Sequence, residues 1–169
     1  LLHNKDQAGF TFIELLIVVL ITAVLAVSSI PVFLNLYQEY HLNTNIQKIY
    51  YVMQLARSEA IKANRTIYAN FQTGDNWCFG FNTSSCNCLT ANSCALANYT
   101  AAKTADMNLT TTGMTGGNIQ FDGARGATYS TTRVTLTIYN KTPSVTLKIS
   151  SLGNLQLCSD QLSGYPTCS

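Results

Sequence analysis

A single carboxylate, Glu14, interrupts an apolar stretch that begins at Phe10 and continues from Leu15 to Leu34, broken afterwards only by Thr22, Ser28, Ser29 and Pro31. A charge inside a segment able to span a bilayer costs on the order of 2–3 kcal/mol even on the lenient insertion scale, so keeping it requires a partner of opposite sign. The other reactive side chains are cysteines: Cys78, Cys86, Cys88, Cys94, Cys158 and Cys168 all fall beyond the apolar run. An even set confined to an exported part reads as a disulfide framework formed in an oxidising compartment. Cys158 and Cys168 bracket a short tail holding Gly164 and Pro166, and a bridge between them would tie that tail down. The other four would then close a loop among themselves, with pairings the sequence leaves open.

Zinc is the competing use of those cysteines. Cys86-Asn87-Cys88 is not the usual two-residue spacing, no second pair mirrors it, and His3 and His41 lie outside the cysteine-bearing region, so no metal is expected. Catalysis finds equally little. Beyond the first nine residues His41 is the sole histidine, and no phosphate-cradling glycine loop is present. Asp75 and Asp122 read as solvated acids of β turns. Neither an enzyme nor a cofactor is expected.

The elements that position these groups follow from periodicity. The run to Leu34 is about long enough to cross a bilayer at ~1.5 Å per residue. A secretory leader would place a small-residue cleavage site after that run, but the chain continues Asn35-Leu36-Tyr37-Gln38-Glu39-Tyr40. Leu42, Ile46, Ile49, Met53, Ala56 and Ala60 then recur alternately four and three apart, predicting a helix with one buried stripe and with Asn45, Gln47, Lys48, Gln54, Arg57, Ser58 and Lys62 around it. Pro31, between the two halves, predicts a kink or a locally melted turn, and Asn64 to Thr66 mark the end.

From Thr66 the period becomes two. Ile67, Ala69 and Phe71 form one arm, and Trp77 to Asn82 a second after the turn at Gly74-Asp75-Asn76. Residues 83–117 show little periodicity and read as a long decorated loop. Val134, Leu136 and Ile138, then Val145, Leu147 and Ile149, then Leu155 and Leu157 give an antiparallel meander with one face buried. The sum is an α+β fold, a long helix packed on a small disulfide-stapled antiparallel β-sheet domain. At 169 residues, one domain of about a hundred residues fits beyond the helix. Charged residues are 11% and the net charge is +2, which gives no overall attraction to polyanions.

The sequence Gly9-Phe10-Thr11-Phe12-Ile13-Glu14 resembles the processing site of type IV prepilins. That resemblance implies cleavage between Gly9 and Phe10, N-methylation of Phe10 and pairing of Glu14 with the N-terminal amine of a neighbouring subunit. It divides the chain into a leader (1–9), a membrane and filament-core half-helix (10–36), an amphipathic half-helix (37–65) and a periplasmic β-rich domain (66–169). Further matches extend it. Leu55-Ala56-Arg57-Ser58-Glu59-Ala60-Ile61, Trp77 with Gly80, Ile119-Gln120-Phe121-Asp122 with Gly126, and Ser150-Ser151-Leu152-Gly153 leading to Cys158 resemble segments of the GspH/FimT family of minor pilins and pseudopilins.

Membership would imply a low-abundance subunit incorporated in, or priming, a type IV pilus, or alternatively serving in type II secretion. Its partners would be other major and minor pilins through the N-terminal helix, the prepilin peptidase and methylase, and inner-membrane lipid before assembly. It would be a single-pass inner-membrane protein with a periplasmic domain, later part of a surface pilus. Some relatives bind DNA during natural transformation through arginines placed directly after the glycine of the last hairpin. Here that stretch is Gly153-Asn154-Leu155-Gln156, without cations to hold phosphate. Arg125, Arg133, Lys141 and Lys148 remain as candidate DNA contacts, weighed against a plain solvated sheet face.

Overall fold

A computed structural model describes residues 11–100, 107–114, 116–138 and 142–168, apart from the side chains of Ser28 and Ser29. Helix α1 runs Phe12–Ala63. Its sequence holds no glycine, and Pro31 lies inside it without ending it. The expected melted turn is therefore absent: proline removes one backbone donor, and the intact turns on either side carry the helix through. At the other end Asn64 adopts φ +48°, Arg65 N donates to Ala60 O at 3.2 Å and Asn64 N to Ile61 O at 3.2 Å. This left-handed closure satisfies the last carbonyls and turns the chain into the first strand.

The chain separates into two units, Leu1–Gln38 and Glu39–Ser169. In the first, every described side chain from Thr11 to Tyr37 is exposed. One 18-residue window of α1 has a mean hydropathy of 2.7 with none of it buried, so length and composition suit a membrane span.

The second unit holds the rest of α1 and two four-stranded antiparallel sheets. One sheet has the order β3-β2-β1-β5, with β1 Ile67–Gln72, β2 Cys78–Asn82, β3 Ala97–Thr100 and β5 Asn118–Phe121. The other has the order β4-β6-β7-β8, with β4 Met107–Thr112, β6 Thr132–Ile138, β7 Ser144–Ile149 and β8 Leu155–Cys158. Leu42, Ile46, Ile49, Met53, Ala56 and Ala60 are all fully buried and join the inward residues of both sheets in one core. Trp77, Phe79, Phe71 and Tyr99 fill part of it, Phe79 and Tyr99 with ring centroids 5.1 Å apart.

The antiparallel β-sheet domain consists of two sheets, and β5 returns to pair with β1, a long-range pairing that local periodicity does not encode. Two expectations need correction. The stretch 83–117 is not all loop: it supplies β3 and β4, edge strands whose short alternation is too brief to stand out. Asn45 is buried rather than facing water; its amide accepts from Tyr99 Oη at 2.9 Å and donates to His41 O at 2.9 Å.

Candidate functional site

The helix start is built by Thr11. Its Oγ1 accepts from Glu14 N at 3.3 Å, capping the first turn, where Glu14 is the acidic residue. Thr-x-x-Glu is the sequence signature of such a cap, visible in the spacing of Thr11 and Glu14 rather than in the apolar pattern. The bond uses only the backbone N–H of Glu14, so the cap does not engage the exposed carboxylate. Gly9 and Phe10 lie outside the described residues.

A second constellation centres on Arg57. Its Nε donates to Gly126 O at 3.1 Å and its Nη2 reaches Leu152 O at 3.5 Å. One guanidinium on the helix thus fastens two turns, the one following β5 and the one joining β7 to β8. Both turns need glycine there. Gly126 has φ +63°, and a Cβ on it would lie 2.7 Å from Arg57 Cγ; Gly153 has φ +78°, and a Cβ on it would overlap the carbonyl oxygen of Gly126. Asp122 shapes the first turn, its Oδ1 accepting from Ala124 N at 2.7 Å. Thr128, buried, donates through Oγ1 to Ser150 O at 3.0 Å while its N–H donates to Ser151 O at 2.9 Å. Three separate sequence segments, around Arg57, Asp122–Gly126 and Ser150–Gly153, therefore meet at one junction. Periodicity assigned Arg57 only to a polar face; the spatial convergence was not readable from spacing.

Beside Arg57 lies an open groove of about 600 Å³ lined by Gln54, Arg57, Ser58, Ile61, Asn154 and Leu155. The two hairpin residues in that wall are neutral.

The cysteines pair as Cys78–Cys88, Cys86–Cys94 and Cys158–Cys168, with Cα separations of 5.8, 5.2 and 5.0 Å. None of the six remains free. The first two bridges fold the segment between β2 and β3 back onto Gly80, where a Cβ would come within 2.8 Å of Cys94 Cβ. The third closes the tail, whose Tyr165 Oη donates to Asn43 Oδ1 on the helix at 2.8 Å. Among the candidate cations, Arg133 and Lys148 are direct cross-strand neighbours on β6 and β7. Arg125 stands on the turn after β5, its own N–H donating to Asp122 Oδ2 at 3.3 Å. Lys141 lies outside the described residues.

Two family profiles match the chain: that described as type II transport protein GspH over residues 45–153, and the prokaryotic N-terminal methylation motif over residues 4–30. The chain belongs to the GspH family of minor pilins and pseudopilins. Two crystal structures of the type IV minor pilin FimU of Pseudomonas aeruginosa, strain PAO1, share its fold. One superimposes with a TM-score of 0.58 at 19% identity, covering 73% of this chain and 95% of FimU. The other gives 0.51 at 18% identity, covering 71% and 98%. No curated protein matches significantly by sequence.

Proposed function

We propose that the chain is a minor type IV pilin, a structural subunit without catalytic activity that enters or primes a pilus. The observation that carries this reading is Glu14, exposed in the first turn of an apolar helix within a matched methylation motif. The leader, residues 1–9, is removed by the prepilin peptidase, and Phe10 becomes the methylated N-terminus. Before assembly, the helix half 10–36 sits in inner-membrane lipid with the domain 66–169 in the periplasm. Lipid offers little hydrophobic drive for helix association, so Glu14 and the N-terminal cation of an adjacent pilin supply register and attraction together. The half-helix 37–65 holds the domain to that rod.

The test is a Glu14→Ala chain expressed in place of the native one. It should remain in the membrane fraction yet be lost from sheared fibres and from cross-links to other pilins; unchanged incorporation would overturn the pairing. Mass spectrometry of the mature chain should find N-methylated Phe10 at its start.

The family description favours a second reading, a type II secretion pseudopilin. Deleting the chain and scoring piliation, DNA uptake and exoprotein release together separates the two: loss of fibres supports the first reading, loss of exoprotein release alone the second. DNA uptake through the last hairpin is not adopted, because Asn154 and Gln156 carry no charge there.

A further inference from the structure

Strand β8, Leu155–Cys158, is the outer strand of its sheet and pairs on one side only, with β7. Alternation along the strand shows which way its backbone points. Ser150 N donates to Asn154 O at 2.9 Å, so the opposed pairs Lys148 with Gln156 and Thr146 with Cys158 are the hydrogen-bonded ones, and the N–H and C=O groups of Leu155 and Leu157 point away from β7. Ser159, the next residue of that set, uses its outward N–H on Pro166 O of the tail at 2.9 Å. Leu155 and Leu157 have no such backbone partner among the described residues. Two other outer strands are closed at the equivalent place: Gly74 exchanges two backbone hydrogen bonds with Leu109 on β4, and Thr128 bridges Phe121 on β5.

Sheet proteins ordinarily guard an open edge with lysine, proline or an inward charge. Strand β8 reads Leu-Gln-Leu-Cys and has none of these. Beside it runs the groove walled by Gln54, Arg57, Ser58 and Ile61 of α1 and by Asn154 and Leu155. Arg57 is the one charged residue in that wall. Its Nε and Nη2 hold the turn carbonyls, while Nη1 makes no hydrogen bond among the described residues; Glu59, further along the helix, pairs with Lys62 instead. Leu155 stands opposite the buried Ile149 and packs against the core. A residue added directly across from Leu155 would present its side chain on that same face, toward α1 and Arg57.

We infer that this edge accepts an extended acidic segment of another polypeptide as a fifth strand, antiparallel to β8, with the backbone of a glutamate bonded to Leu155 and its carboxylate on Arg57. Main-chain hydrogen bonds give such a complex its affinity, and the single cation selects an acidic side chain over a neutral or basic one. The site does not depend on which filament the subunit joins.

The experiment titrates the full chain, isotope-labelled and in detergent micelles, with the peptide acetyl-Thr-Val-Glu-Val-Thr-amide while amide chemical shifts and hydrogen exchange are followed. The amides of Leu155 and Leu157 should shift saturably, with a dissociation constant of about 1 mM for a few main-chain hydrogen bonds, and should exchange more slowly when the peptide is bound. N-methylating the glutamate and both threonines removes the donors that meet β8 and should abolish the effect. Glutamine in place of the glutamate should weaken binding about fivefold, the scale of a partly exposed ion pair, and lysine should weaken it further. On the protein, Ser58 is exposed and its Oγ donates only to Leu55 O on its own helix, so Ser58→Glu adds a carboxylate to the groove wall and keeps the fold. That variant should bind the glutamate peptide about fivefold more weakly and the glutamine peptide unchanged. No saturable shift at Leu155 and Leu157 by about 10 mM peptide overturns the inference, as does equal binding of the N-methylated peptide. Equal binding of the glutamine peptide, or shifts centred elsewhere on the domain, also overturns it.

Discussion

Replacing Arg57 by alanine removes the partner of the part-buried Gly126 carbonyl and a longer contact to the solvent-exposed Leu152 carbonyl, where the helix meets two turns. Unmaking hydrogen bonds to a charged donor costs about 2–3 kcal/mol, so urea unfolding of R57A should shift by that amount. Arg57→Lys should recover only part of it, since an ammonium lacks the planar fork that serves both acceptors. Gly153→Ala should be worse, because an added methyl meets backbone that cannot swing aside at a left-handed φ. If G153A unfolds at the native midpoint, the junction is not the constraint described. Glu14 makes the opposite kind of prediction. Glu14→Gln preserves volume and the Thr11 cap, which uses only a backbone N–H. It should nevertheless be excluded from fibres as fully as Glu14→Ala; retention of the glutamine chain in sheared fibres would show that charge is dispensable.

Among the elements, the C-terminal loop offers the clearest test. Cys158–Cys168 closes a ten-residue separation and holds Tyr165 against Asn43. Removing both cysteines as serines should cost about 2–3 kcal/mol and open the tail to limited proteolysis; equal protease resistance with and without the bridge would assign the clamp to Tyr165 instead. The helix was the most legible element. Its buried stripe from Leu42 to Ala60 could be read residue by residue, because a four-three alternation is how a helix announces one apolar face. The strands β6, β7 and β8 were legible for the same reason at period two. What escaped was long-range: the return of β5 to β1, and β4 lying beside β6. Asn45 escaped too, since an amide satisfied by Tyr99 is indistinguishable in sequence from one satisfied by water.

At the level of the whole molecule, the core begins at Leu42 and draws its residues from the second unit alone. A chain beginning at Glu39 should therefore fold with all three disulfides and show the same unfolding free energy in urea, within about 0.5 kcal/mol, as the full chain in micelles. A molten or aggregating fragment would show that the apolar half contributes to folding. The candidate sites were legible to different depths. Glu14 was visible because a carboxylate in an apolar run is costly wherever it occurs. The Arg57 junction was visible only as fragments of family likeness, because its three parts are united by tertiary structure.

The paired bridges Cys78–Cys88 and Cys86–Cys94 have a consequence for how the protein can mature. Cys86 and Cys88 are separated by one residue yet bond in different directions, so a first oxidation joining the wrong members of this quartet would need reshuffling by exchange. Export into a compartment lacking a thiol isomerase should leave a fraction of chains mispaired, and the supply of competent subunits would then follow that enzyme's activity rather than the rate of synthesis.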